Sequence, residues 1–375
     1  MTRTRRRTRD PARALFTVSA AVVLAALAFM AFVPVPFVVR SPGPTINTLG
    51  ETDEGHKLIE ISGAETFPTG DGELRLTTTS LSGGPSRGIP LFEAILKWIR
   101  ADSSVLPRTL QYPEDQDQEE LSEYLIAQMD ASQEYATAAA LQHLGYEIKM
   151  TMTVAELMPD LPAAEHLEVD DVITAIAPDG GERAELADFT QLTDILESVP
   201  PGTAVTLEVD RVGDAVTVSF PTSPRSEGDT APGSLLGVWL FTEIAELPLD
   251  VSFDINRIGG SSAGNMFALA IVDLLTQGEM TGGEVIAGTG TMSANGRVGA
   301  IGGVEQKMHA SARDGADWFL VPESNCAETV GHVPGGLTVV AVATLEDSVA
   351  VVEAIGAGET DGLPTCEAVL ADQRG

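Results

Sequence analysis

The sequence predicts an α+β protein carried on one N-terminal transmembrane helix, and three observations predict it. Residues 14–39 carry no charge. Residues 145–220 alternate short strand patterns with one helical segment. Residues 235–356 mix strand runs with helices that read as buried, one of them opening straight after a glycine-rich turn.

The first thirteen residues form a basic tail, in which Arg3, Arg5, Arg6, Arg7, Arg9 and Arg13 are opposed by Asp10 alone. The run 14–39 that follows is long enough for one span, because about 20 residues cross the hydrocarbon core. By the positive-inside rule the arginine end stays cytoplasmic, and the bulk of the chain after Arg40 is extracytoplasmic at the cell membrane. A cleaved signal peptide is the competing reading. The stretch Phe29-Met30-Ala31-Phe32-Val33-Pro34-Val35-Pro36 offers no small-x-small cleavage site for it.

Residues 40–144 form an exported segment without a motif whose chemistry can be argued. They hold a helix pattern at Pro90–Ile99, an acidic run from Glu114 to Glu120 that reads as a solvated loop and helix start, and a second helix from Leu121 to Leu144. In residues 145–220, strands are expected at Lys149–Val154, Asp171–Ile176, Ala204–Val209 and Ala215–Phe220, with a helix at Phe189–Glu197. This order, with Pro162-Ala163, the run Leu167 to Ile173 and Pro201-Gly202, resembles a bacterial-type PDZ domain. Asp170 stands where that family usually has glycine. The resemblance implies capture of an extended peptide by strand addition, at an edge carrying Met150, Met152 and Val154, with the helix as the opposite wall. A spacer that holds the rest of the chain off the membrane is the competing reading.

A Pro/Ser/Gly-rich linker, residues 221–234, leads into residues 235–356. There the turn Gly259-Gly260-Ser261-Ser262-Ala263-Gly264 opens the apolar run Asn265–Leu275, which reads as a buried helix with Ser262 in its first turn. Backbone N–H groups at such a start suit a developing oxyanion. Lysine is scarce, with only Lys57, Lys97, Lys149 and Lys307 in the chain. Val304, Lys307, Met308 and Ser311 fall at i, i+3, i+4 and i+7, so Lys307 lies on a face that should pack inward. Burial would favour its neutral amine, able to take the serine proton. Gly260-x-Ser262-x-Gly264 also fits the nucleophile elbow of α/β-hydrolases, with His332 as base of an esterase. His309 is two residues from Lys307 and about 200° round the helix, on another face. A non-catalytic, peptide-binding adaptor is the third reading.

The segment from about Gly233 to Gly356 resembles the proteolytic domain of Lon proteases. Gly259 to Gly264 matches that family's Asp-Gly-Pro-Ser-Ala-Gly motif, and Gly302 to Lys307 its Gly-Gly-Leu-Lys-Glu-Lys motif. Between them, Thr289-Gly290 matches a Thr-Gly pair, while Gly296-Arg297-Val298 and Ile301-Gly302-Gly303 match the hairpin before the lysine helix. The resemblance implies a serine endopeptidase with a Ser/Lys dyad: Ser262 as nucleophile, Lys307 as base, Thr289 as its orienting partner, and Gly260 and Ala263 supporting the oxyanion. Ser261 replaces the family's proline and is a rival nucleophile. Segments like residues 40–144 accompany membrane-anchored PDZ-Lon proteins. No phosphate-loop motif occurs in the sequence, so an ATP-independent peptidase is expected. Lon domains assemble into rings, and a homo-oligomer is expected by that analogy.

The formal net charge is −33, and it becomes more negative once the basic tail is set aside. Nucleic acid is a poor partner for such a surface; protein or peptide substrates and the membrane are the expected ones. Five histidines are scattered singly and no ligand spacing occurs, so neither a metal nor a cofactor is expected. Cys326 and Cys366 form an even pair outside the membrane, where a disulfide would tie the tail, residues 357–375, to the loop after Trp318–Val321. Two free thiols are the alternative.

Overall fold

The computed structural model describes residues 11–372 apart from residues 53, 86, 113–117, 188, 226–231 and 256–257. Residues 1–10 of the basic tail, 114–117 of the acidic run, 226–231 of the linker and 373–375 of the C-terminal tail lie outside the described residues. The chain opens with α1 (Pro11–Phe32), which exposes Leu15, Phe16, Val22, Leu24 and Phe29. Among the described residues no helix is long and apolar enough to cross a membrane, so the expected span is not shown by the fold.

Strands β1 (Phe37–Asn47) and β2 (Glu73–Ser82), helix α2 (Leu91–Trp98), strand β3 (Ser104–Pro107) and helix α3 (Gln118–His143) follow. On β2 the period-two pattern is clear: Leu74 and Leu76 are fully buried, while Glu73 and Arg75 pair with each other on the opposite face. The second half of α3 is buried through Ala136, Ala138, Ala139 and Ala140, whose small side chains let another helix approach closely.

The next module comprises β4 (Lys149–Leu157), β5 (Val172–Pro178), α4 (Phe189–Ser198), β6 (Ala204–Arg211), β7 (Asp214–Pro221) and β8 (Val238–Glu246). Its sheet runs β7-β6-β5-β4-β8, with Ala184–Glu185 also on β5. Met152, Val154, Ile176, Leu192, Val205, Leu207 and Phe220 fill its core. Arg211 closes it at one end, donating from Nε and Nη2 to the two carboxylate oxygens of Asp171, each at 2.7 Å. Asp170 adopts φ 73°, so the turn keeps the left-handed backbone that glycine would take without strain.

The last part contains α5 (Gly264–Leu275), β9 (Val285–Gly288), the paired short strands β10 (Thr291–Met292) and β11 (Val298–Gly299), α6 (Val304–Arg313), β12 (Trp318–Pro322), β13 (Thr338–Val342), α7 (Leu345–Gly356) and α8 (Cys366–Asp372). Its sheet is mixed, in the order β13-β12-β9-β2-β1-β3. Strand β9 pairs in parallel with both β12 and β2, placing Ile286 beside Trp318 and Leu74. Alternate side chains separate two cores. Ile286, Leu320, Val340 and Val342 face α5, with α3 and α7 packed behind; Ala287, Phe319, Val321 and Val339 face Val304 and Met308 of α6.

Two expected boundaries are corrected by these pairings. Residues 40–144 are not a separate segment, because β1, β2 and β3 make half of the sheet expected from residues 235–356 alone, and α3 packs on α5. Conversely β8, placed by sequence in the last domain, completes the sheet of the module before the linker. Hydrogen-bonded strand pairing is decided by the backbone, and no side-chain pattern names the distant partner.

Candidate active site

The two layers of the last domain meet just beyond the end of β9. Ser262 lies in the turn before α5, two residues ahead of the helix rather than inside its first turn, and is half-buried. That turn is held from two sides. Gly260 N–H donates to the Leu125 carbonyl at 2.8 Å and Ser132 Oγ to the Ser261 carbonyl at 3.1 Å, both partners lying on α3. From the other side Gly290 N–H donates to the Ser262 carbonyl at 3.0 Å. Gly260 has φ 96°, which only glycine adopts readily. Gly264 admits no side chain, since an added Cβ would sit 2.7 Å from Met292 N.

Lys307 comes from the opposite layer on α6, where Val304, Lys307, Met308 and Ser311 are all buried and the lysine is 2% exposed. Its Nζ is 2.7 Å from Ser262 Oγ and 2.8 Å from Thr289 Oγ1. Thr289 is fully buried and its hydroxyl donates in turn to the Ser262 carbonyl at 3.0 Å, so it accepts from the amine while it fixes the serine backbone. Burial pushes the Lys307 amine from 10.5 down to about 7, and the positive charge of Arg40 on β1 adds to the effect. A neutral amine this close to a hydroxyl can take its proton.

Ser262, Thr289 and Lys307 are therefore brought together. Ser261 is bonded through its carbonyl to α3, and the lysine amine contacts Ser262 instead. Ala263 adjoins Ser262, and among the described residues neither its N–H nor that of Ser262 donates to another group, leaving both able to face an oxyanion. Gly260 does not share this role, since its N–H is spent on Leu125; it shapes the turn. His332 is half-exposed on its loop with Nδ1 3.5 Å from Glu305, and the side chain bonded to Ser262 Oγ is Lys307. Among the described residues no group of acidic, histidine or cysteine side chains could hold a metal.

Cys326 and Cys366 form a disulfide between the single turn Cys326–Thr329 and α8. Its neighbour Asn325 clamps the approach to α6: Oδ1 accepts from Ile301 N–H at 2.9 Å and Nδ2 donates to the Ile301 carbonyl at 3.0 Å. Sequence reasoning missed Asn325, Ser132, Leu125 and Arg40. The last three belong to residues 40–144, where nothing local marks a partner in the distant turn that carries Ser262.

The expected peptide edge is also corrected. Met152 and Val154 are fully buried and Met150 nearly so, and β8 occupies the edge beside them, with Ile244, Thr242 and Leu240 opposite Met150, Met152 and Val154. Strand β8 itself ends the sheet. A groove of about 510 Å³ runs between it and α4, lined by Phe189, Leu192 and Leu196 on the helix and by Leu236, Gly237 and Leu240 on the strand side. The signal was present in the alternation of Val238, Leu240, Thr242 and Ile244, which follows Gly237 at φ 86°.

Residues 257–354 match the Lon protease (S16) C-terminal proteolytic domain. Ser262, Thr289 and Lys307 all lie inside that Lon-type segment. The chain is 39% identical over 75 residues to a Lon protease of Clostridioides difficile (strain 630), covering 20% of this chain and 9% of that protein. It is 31% identical over 107 residues to an archaeal Lon protease of Methanocaldococcus jannaschii, covering 28% and 16%. This chain thus spans a small part of the curated relatives it matches. A likeness to the crystal structure of the PDZ domain of the SdrC-like protein from Listeria monocytogenes covers 25% of this chain and 88% of that one, at 21% identity and a TM-score of 0.21.

Proposed function

We propose that this chain is a serine endopeptidase using a Ser262/Lys307 dyad without ATP, attached to a membrane through α1, the helical part of the expected span 14–39. The observation that carries the reading is the buried Lys307 amine within 2.7 Å of Ser262 Oγ, inside the segment that matches the Lon-type domain. Lys307 Nζ takes the hydroxyl proton as Ser262 Oγ bonds to the scissile carbonyl carbon. The tetrahedral oxyanion is met by the N–H groups of Ser262 and Ala263. Collapse expels the amine, which leaves with the lysine's proton, and the acyl-enzyme is then hydrolysed by water that Lys307 activates in the same way.

Substrate segments are captured in the PDZ manner, as an added strand on β8 beside α4. The membrane reading rests on the uncharged run 14–39 and on α1, which exposes Leu15, Phe16, Val22, Leu24 and Phe29. The Cys326–Cys366 disulfide fits an oxidising compartment beyond that membrane.

The test is cleavage of an unfolded protein such as casein by the full chain in detergent, without ATP, against Ser262→Ala and Lys307→Ala. The full chain is the right reagent because Val38 and Val39 at the start of β1 are fully buried in the catalytic sheet. Loss of activity in both variants is expected. Activity that survives Lys307→Ala, or that appears only with ATP, overturns the corresponding half of the proposal.

A further inference from the structure

Helix α2 is built with its apolar face turned outward. Phe92, Ile95, Leu96 and Ile99 follow the i, i+3, i+4, i+7 spacing that normally buries a stripe against a core. Here they are 46%, 41%, 44% and 76% exposed, and Trp98 beside them is 79% exposed. The inward contact is made by Ala94, packed with Val39 and Ile89. A stripe this regular needs something apolar to face.

The fold indicates what that is, because α2 is fastened to the end of α1. Leu91 N–H donates to the Val33 carbonyl at 3.0 Å, and Pro34–Val35 pairs with Ile89–Pro90 at the residues directly before α2. Around the same junction Arg108 N–H donates to the Pro36 carbonyl, placing the single turn Arg108–Gln111 there, and Phe32, Phe37 and Leu110 are exposed beside it. If α1 sits in a bilayer, the exit point of the chain holds this apolar cluster at the lipid surface, and an aromatic residue at that depth is the usual anchor.

We propose that α2 is an interfacial membrane helix, inserting Phe92, Ile95, Leu96, Trp98 and Ile99 into the lipid surface next to the α1 span. The inference rests on the membrane attachment proposed above and adds a second, independent point of contact. Interfacial helices of this kind lie with the apolar face about 5–10 Å into the headgroup and acyl boundary. Two contacts fix orientation where one span leaves it free. Strand β1 starts at this junction and carries Arg40 to the Gly302-Gly303 turn before α6, so the dyad is set at a fixed height above the bilayer. The substrates favoured by that arrangement are polypeptide segments held close to the membrane.

The experiment uses the full chain reconstituted in vesicles of equal parts phosphatidylcholine and phosphatidylglycerol. Ile99→Cys supplies a free thiol for an environment-sensitive fluorophore, Cys326 and Cys366 being bonded to each other. Val212→Cys, at a position 98% exposed in the turn between β6 and β7, is the control. Both substitutions are on the surface and leave the core intact. The expected result is several-fold stronger quenching of the Ile99 label by a shallow lipid-borne nitroxide than by aqueous iodide, with the opposite order at Val212. An iodide-accessible Ile99 label on a chain that floats with the vesicles overturns the inference and leaves the α1 anchor standing. A label shielded from both quenchers means that a second copy covers α2, which also overturns it. A chain that does not float removes the anchor and the inference with it.

Discussion

Replacing Lys307 by methionine should abolish peptide cleavage and yet stabilise the folded chain at neutral pH. The amine is 2% exposed, and burial holds its pKa near 7 against 10.5 in an unfolded chain. Between those two values the unfolded chain carries a proton that the folded chain lacks. Stability therefore rises with pH across this window, by about 1.4 kcal/mol per pH unit, and is lost as pH falls. From pH 7 to pH 9 this one group supplies roughly 2–3 kcal/mol. Methionine keeps the apolar stem, removes the titration, and forfeits two hydrogen bonds worth about 1 kcal/mol each. The net gain at pH 7 is then about 1–3 kcal/mol, shrinking towards zero near pH 9. Urea unfolding of the catalytic sheet, followed through Trp318 on β12 with Trp98 and Trp239 replaced by phenylalanine, measures it at both pH values. In the parent, cleavage should rise through an acid limb near pH 7, falling to about a tenth of its plateau one pH unit below. Parallel pH dependence of stability in parent and variant would refute the reasoning, because Lys307 would then be charged in the fold.

Two further outcomes follow, one at the same site and one at the disulfide. Thr289→Val removes the acceptor that holds the amine and the donor to the Ser262 carbonyl; at about 1–3 kcal/mol this lowers kcat by about 5- to 150-fold, with KM unchanged, in steady-state peptide assays. Removing the disulfide by Cys326→Ser with Cys366→Ser opens a loop of 40 residues, which costs about 4 kcal/mol by the chain-entropy relation and should lower thermal stability equally in parent treated with reductant.

Ser262 and Lys307 were legible because each announces itself within a few positions. Ser262 precedes an apolar run no surface helix would carry, and Lys307 interrupts a stripe whose other members are Val304, Met308 and Ser311. Thr289 was found through its place between two motifs rather than through any local signal. The supports from residues 40–144 were not legible: Ser132 sits in an alanine-rich helix and Leu125 contributes only a carbonyl, so neither side chain advertises its role. The free edge of that sheet lies one strand beyond the expected one because Met150, Met152 and Val154 alternate as well as Val238, Leu240 and Thr242 do. Both runs are strands, and only their pairing shows which of them ends the sheet.

By itself the sequence determined the periodicities: which segments are helices or strands, which side of each is apolar, and which polar residues interrupt an apolar surface. These are properties of neighbours within one or two turns, fixed by backbone geometry. The tertiary structure alone decided that β2 lies between β1 and β9, that β8 rather than β4 ends its sheet, and that the apolar stripe of α2 points away from the core. Backbone hydrogen bonds are alike in every strand, and an apolar stripe specifies an apolar partner without naming it. The serine and the lysine were therefore readable one at a time, while the 2.7 Å between them required a sheet assembled from both ends of the chain.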